Sequence, residues 1–482
     1  MFRCSAEHAL VLALASTLTL ALVACGDDGL AGDVDAGSAA DAASDAGRAP
    51  DAMPPGPPPG QVDRALVFPD GVPMAQAMAV APDGSIVAAV KQRAPVTLGN
   101  LHADMLGNDA ILVMKLTPSL EPVWMKSFAC SGNVFVTSLA LTPRGDVLLG
   151  GEYTGIFDLG PLPSDRGSTD LFVARLDGQS GAIGGFHTSG TPELDTVLAV
   201  ASGGLADPEG VYVYGRVGAD HSLEGGPAGA LLTRYDASWT PVWSRRLPGL
   251  SPSYIGSMVL DPARGPIITG NFFAQLDLGE GQVVSAPGLE AVVAAFDVNG
   301  HVRYARKIHN DAVPSANRLL TVTAAGDVYV GSDTNGSAVH FDEQVSIAND
   351  GDPLGLGDLY LLHLDANGAA VAATPMRGRT STFAEALAAG PDGAAYLAGT
   401  CEGVVEVQPQ LTCASFGSVI VAQRADGSHA WGLAAAGSLI RSVAATAGHR
   451  LVVAGDTGDH ATDLGSVLVP EHRAYIVSVV TE

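Results

Sequence analysis

The chain is 482 residues long, only 16% of them charged, and it carries a formal net charge of −26. Such acidity repels phosphate backbones and excludes nucleic acid as a partner; its plain role is solubility. With 47% hydrophobic residues the chain can build a large core, and most of its 59 glycines and 30 prolines sit at turn positions between apolar runs.

Residues 1–24 read as an export signal. Arg3 supplies the positive start, and Ala9 to Ala24 is apolar apart from Ser16, Thr17 and Thr19. That is shorter than the roughly 20 residues a membrane span needs. The segment closes on Leu22-Val23-Ala24-Cys25 followed by Gly26. This resembles the bacterial lipobox, which implies cleavage before Cys25, lipidation of its thiol and attachment to a lipid bilayer. Acyl chains contribute about 0.8 kcal/mol per buried methylene, so several on one residue form a lasting anchor. The expected location is the bacterial cell envelope, with outer membrane or cell surface ahead of inner membrane. Asp27, however, resembles the inner-membrane retention signal of enteric bacteria. Residues 25–61 are the lipidated cysteine and a disordered tether, almost wholly Asp, Ala, Gly, Ser and Pro, with no apolar periodicity.

From residue 62 to 482 one pattern returns seven times. A run such as Met78-Ala-Val-Ala-Pro-Asp-Gly84 leads into Ser85-Ile-Val-Ala-Ala-Val90. Next come Ile111-Leu-Val-Met-Lys-Leu116 and Pro122-Val-Trp-Met-Lys-Ser-Phe128. Repeats of this length mean stacked or radial supersecondary units. Glycines open the second strand at Gly84, Gly145, Gly210, Gly265, Gly326 and Gly393, with Arg450 in that place last. Asp83-Gly84, Asn299-Gly300, Asn367-Gly368, Asp392-Gly393 and Asp426-Gly427 read as hairpin turns whose central residues need positive φ. A second marker follows each second strand: Val96-Thr-Leu-Gly99, Phe157-Asp-Leu-Gly160, Leu223-Glu-Gly225, Leu276-Asp-Leu-Gly279, Val339-His-Phe341, Val405-Glu-Val407 and Asp463-Leu-Gly465.

The seventh copy ends after its third strand, Tyr475-Ile-Val-Ser-Val-Val480, whereas Asp63-Arg-Ala-Leu-Val-Phe68 precedes copy one with no sheet of its own. Joining them closes a ring and removes exposed sheet edges. The expected fold is therefore all-β: a seven-bladed β-propeller with four antiparallel strands per blade, its last blade closed by the N-terminal strand. Asp170-Leu-Phe-Val-Ala-Arg-Leu-Asp177, Asp358-Leu-Tyr-Leu-Leu-His-Leu-Asp-Ala-Asn-Gly368 and Gly326-Asp-Val-Tyr-Val-Gly331 resemble the bacterial SBBP (seven-bladed β-propeller) repeat. That resemblance implies a fold family of exported proteins without one assigned activity.

Aligning the copies places a polar residue at the opening of each first strand: Gln76, Thr137, Thr196, Ser257, Arg318, Glu385 and Ser442. First strands line a propeller's central channel, so these side chains are expected to ring one mouth of it, with Arg318 and Glu385 near enough to pair. Cys401 and Cys413 bracket the second-to-third connection of blade six and are expected to form a disulfide, leaving Cys130 odd. Trp124, Trp243, Trp431 and Tyr304 hold equivalent fourth-strand places. The arrangement is similar to the tryptophan docking motif of quinoprotein propellers. Without cofactor-binding residues beside it, it reads as packing between blades. His221, His340 and His460 read as surface or turn residues.

No catalytic signature, metal-ligand spacing or cofactor motif is present. The function that follows is a lipid-anchored, non-catalytic binding or scaffold module with a protein or glycan partner. The alternatives are a propeller enzyme, a hydrolase or lyase with its site at the channel mouth, and an assembly factor for envelope proteins.

Overall fold

Each long apolar run of the repeat forms a β-strand, and consecutive strands pair antiparallel into sheets of four. The computed structural model describes residues 58–159, 169–204, 207–219, 228–250, 256–311, 318–334, 336–341, 345–348, 358–378, 383–407 and 410–482. The leader, Cys25 and most of the tether lie outside the described residues.

The sheets follow one another along the chain. Blade one is Met74–Val80, Ile86–Gln92, Asp109–Leu116 and Pro122–Cys130. Blade two is Val134–Leu141, Val147–Tyr153, Asp170–Leu176 and Ile183–Ser189. Blade three is Thr196–Gly204, Asp207–Val217, Gly229–Tyr235 and Pro241–Leu247. Blade four is Met258–Asp261, Gly265–Asp277, Val283–Phe296 and Val302–Asn310. Blade five is Arg318–Val322, Val328–Thr334, Asp358–Leu364 and Ala370–Gly378. Blade six is Ala384–Ala389, Ala395–Glu406, Leu411–Gln423 and His429–Ala436.

Blade seven takes Ser438–Thr446, Arg450–Thr457 and Ala474–Val480 from the end of the chain and Val62–Val67 from its start. The two ends pair antiparallel, Val67 opposite Tyr475 and Ala65 opposite Val477. Each first strand touches the first strand of the next blade, and the series returns from blade seven to blade one. The first strands are therefore the inner ring, and the propeller reading is borne out.

Burial on both faces explains the near-continuous apolar strands. Successive side chains point to opposite faces of a sheet, so in blade one Ile86, Ala88 and Val90 pack toward blade seven. Val87 and Ala89 pack toward blade two. Each of the other blade joints likewise holds its own hydrophobic cluster.

The Asp83-Gly84 turn departs from expectation. Positive φ at both central residues does not form; Gly84 alone is left-handed, at φ 81°. Its N–H donates to the Ala81 carbonyl at 2.8 Å, while the Asp83 carboxylate accepts the Ser85 N–H at 2.9 Å. The carboxylate thus holds an ordinary turn that the glycine completes. Third-to-fourth turns use the same device: Asp236, Asp297 and Asp365 each accept two backbone N–H groups.

The second sequence marker is a buckle between blades. Phe157 bridges to Cys130, and Asp277 N–H donates to the Pro248 carbonyl. Val339 pairs with Asn310, and Val405 with Gly378. In each case the connection between second and third strands reaches back to the end of the preceding blade. Phe157, Leu276, Val339 and Val405 bury their side chains in doing so.

Candidate functional site

Up-and-down connectivity puts the opening of every first strand on one face, with the second-to-third connections. The expected polar ring lies there, and local irregularities decide what it does. In most blades one extra residue bulges out of the first strand. It is Gln76 in blade one, Thr137 in blade two and Glu385 in blade six. In blades three and seven the bulged residues are Leu198 and Arg441 rather than Thr196 and Ser442. Thr196 and Ser442 instead pair in register, with Arg216 and Ala454, because a bulge shifts the alignment that strict alternation implies. Ser257 stands just before its strand and donates its N–H to Thr269 Oγ1 at 3.1 Å. Arg318 opens its strand, but its side chain lies outside the described residues, as does the expected pair with Glu385.

On one side of the ring the polar groups lace neighbouring blades together. Gln76 Oε1 accepts the Val136 N–H at 3.1 Å, and Thr137 Oγ1 donates to the Val197 carbonyl. Ser138 Oγ accepts the Val200 N–H at 3.0 Å. Beneath them Lys91 and Asp109 form a buried ion pair; the ammonium also donates to the Val134 carbonyl at 2.6 Å and lies 4.1 Å from the centre of the Phe135 ring. These groups are consumed by structure.

On the other side, blades five to seven bring Asp333, Glu385, Arg441 and Asp456 together. Arg441 Nε donates to Asp456 Oδ1 at 2.9 Å. Asp333, which is buried, accepts the Ala384 N–H at 3.4 Å. Burial, reinforced by the like charges of Asp333 and Asp456, pushes Glu385 above the usual carboxylate range against the pull of Arg441. Burial also raises Asp456, although Arg441 counters it. Glu385 and Asp456 thus share the Arg441 guanidinium beside the channel, with Asp333 next to Glu385. Sequence alignment found Glu385 alone. The remaining signal was an Asp interrupting the apolar second strands, at Gly331-Ser-Asp-Thr334 and Gly455-Asp-Thr457.

A second constellation on this face was missed entirely. His309 Nδ1 lies 2.7 Å from Glu290 Oε1, and His309 and His340 stack at 5.8 Å, both reaching Asp311. His340 is thus more than a turn residue. Among the described residues, no group of three or more His, Cys, Asp or Glu is placed to hold a metal ion.

Apolar side chains frame the mouth. Phe135 and Phe383 occupy equivalent places before the bulges, opposite Glu152 and beside Thr400, and both are exposed. Leu106, Ile156 and Leu468 are exposed on the connections around them, and Phe273 and Phe416 on the long hairpin strands of blades four and six. Cys401 and Cys413 are disulfide-bonded across the projecting blade-six hairpin, their Cα atoms 6.1 Å apart. Cys130 is a buried thiol in the last residue of its strand, not on a connection, and burial raises its pKa.

No family model matches the chain, and no curated protein matches it. Solved structures with a similar course include the Dos1 propeller, with a TM-score of 0.45 and 9% identity over 87% of this chain and 95% of that one. Sqt1 from Chaetomium thermophilum has a TM-score of 0.44 and 11% identity over 88% of this chain and 100% of its own. The polysaccharide lyase Uly1 has a TM-score of 0.43 and 9% identity over 88% and 100%. Likeness at this level carries no argument about what the chain does.

Proposed function

We propose that this chain is a non-catalytic binding module of the bacterial cell envelope, an exported lipoprotein built from SBBP-type repeats and anchored through an acylated Cys25. The observation that carries the binding reading is the mouth face. Exposed phenylalanines and aliphatic residues stand on this face in blades one, two, four, six and seven, and the same face carries the acidic cluster, whereas other exposed apolar residues, such as Val123 and Val242, lie on outer strands. A protein or glycan partner would place apolar surface on the rim and a cationic or hydroxyl-rich group at Glu385 and Asp456. The described body begins at Pro58–Gly60, beside the third-to-fourth turns and on the face opposite the mouth.

The test is capture from envelope extracts by the intact chain, compared with Phe135→Glu and Phe383→Glu variants of unchanged melting temperature. A specific partner retained by the parent and lost by both variants supports the reading. Equal retention by all three removes the mouth from it.

A second reading is favoured by one observation, the two raised carboxyl groups flanking Arg441. A carboxyl group whose pKa is raised by burial is what the general acid of a hydrolase or lyase site at the mouth would need.

A further inference from the structure

The outer strands follow one rule at most blade joints. An aromatic ring on the fourth strand lies on the turn of the next blade. A Cβ on the turn glycine would meet Trp124 at 2.8 Å from Gly181, Trp243 at 3.0 Å from Gly300 and Tyr304 at 2.5 Å from Gly368. Trp431 does the same against Gly60, at 3.3 Å, where chain start and chain end replace a turn. Each indole N–H donates to a carbonyl of that next turn: Trp124 to Gly178 at 3.3 Å, Trp243 to Val298 at 3.0 Å and Trp431 to Thr481 at 3.2 Å. Between blades two and three the parts are exchanged, the turn's Trp239 lying against Gly185 of the strand. Between blades seven and one, Arg64 stands in the ring's place and donates to the Pro118 carbonyl at 2.8 Å.

The joint between blades five and six breaks the rule. Ala372, opposite His363, occupies the aromatic position, and the facing turn carries Ala425 and Gly427. A cavity of about 110 Å³ remains, lined by Tyr329, His363, Thr374, Gln423, Ala425 and Gly427. Tyr329 and His363 stack at 4.7 Å and form an aromatic wall. Gln423 is 4% exposed, and its amide donates to Thr374 Oγ1 at 2.6 Å and the Gly427 carbonyl at 2.9 Å. Its Oε1 has no hydrogen-bond partner among the described residues. A buried acceptor without a donor is costly to leave, so the joint is chemically incomplete.

We propose that this joint binds an indole-sized planar aromatic bearing one N–H donor, which supplies the ring the chain omits there. The ring would lie against the turn glycine as its counterparts do, and its N–H would reach the Ala425 carbonyl, which holds the turn position of Gly178 and Val298. The recess is open to solvent beside the exposed Ala372, so it need cover only part of the ring, as the half-buried Trp243 is covered at its own joint.

The experiment titrates the full chain with free indole and, separately, N-acetyltryptophanamide, following His363 and Tyr329 side-chain resonances by NMR. Saturable shifts at those residues are expected for indole. Ala372→Trp, which fills the site from within, should abolish them and raise the melting temperature; Ala372→Met is the gentler control and should weaken binding. Binding of N-acetyltryptophanamide as well assigns the ring to a partner's tryptophan, and its exclusion assigns it to a free small molecule. Absence of saturable binding by either probe, or binding untouched by both substitutions, overturns the proposal.

Discussion

At the bulge in each first strand, residue type decides between lacing and charge. Gln76 Oε1 and Thr137 Oγ1 bond the next blade's backbone, so truncating either would loosen the ring. Glu385 occupies the same position but is surrounded by Arg441, Asp333 and Asp456, and its carboxyl is raised from its usual value of 4.5. A raised acid favours the folded state most when protonated, and that contribution fades as pH climbs through the folded pKa. The melting temperature should therefore fall as pH rises from the ordinary glutamate range toward neutrality, by more than in Glu385→Gln. At neutral pH the Gln variant should be at least as stable. Parallel thermal melts of the two proteins across that window provide the check; identical slopes would mean Glu385 is not strained.

The polar ring was legible in sequence because each member opens a strand whose alternation is otherwise clean, as around Thr137. What escaped was register. A bulge adds one residue without adding one to the apolar pattern, so Thr196 and Ser442 took the places that Leu198 and Arg441 hold. The acidic cluster was illegible for another reason: Asp333 and Asp456 belong to second strands in different blades, and nothing local marks them as neighbours.

Among elements, the hairpins between second and third strands differ most. In blade one the connection is the small Val96–Leu98 and Leu101–Ala103 hairpin, whereas in blade six two long strands pair from Val405 and Leu411 down to Ala395 and Gln423, with one register shift between Cys401 and Gly403. The disulfide spans this long hairpin, and both cysteines are buried beside Val405 and Val407. Replacing both with serine should cost up to about 3 kcal/mol in denaturant unfolding, less if the paired strands already restrict the unfolded loop. The buckle to Gly378 should open first, seen as faster hydrogen exchange at Val405. Sequence reading placed this cross-link correctly because the two cysteines bracket one marker. It missed the turn type, since Asp and Asn before glycine suit both geometries and only the carboxylate-to-backbone bond selects between them.

For the whole molecule, closure is the governing feature. The Val62–Val67 strand is held by its ladder to Ala474–Val480, by the Arg450–Asp63 ion pair and by Ser466 Oγ donating to the Val62 carbonyl at 2.7 Å. Trp431 rests on Gly60 at the same seam. Deleting residues 58–67 would uncover the edge of Ala474–Val480 and strip the outer side of the joint. The deletion variant should elute as oligomers in size-exclusion chromatography and lose the sharp melt of the parent, because an open sheet edge templates pairing with another chain. A monomer with an unchanged melt would refute the importance of the seam.

The Ser466–Val62 bond joins residues 404 positions apart, so the strand synthesised first is seated last. Until Ala474–Val480 has been made, that strand has no mate in its sheet. A product cut short anywhere before Ala474 never finds one. The latch thus doubles as a length gauge: the Val62–Val67 strand stays open to proteases until Ala474–Val480 has been made.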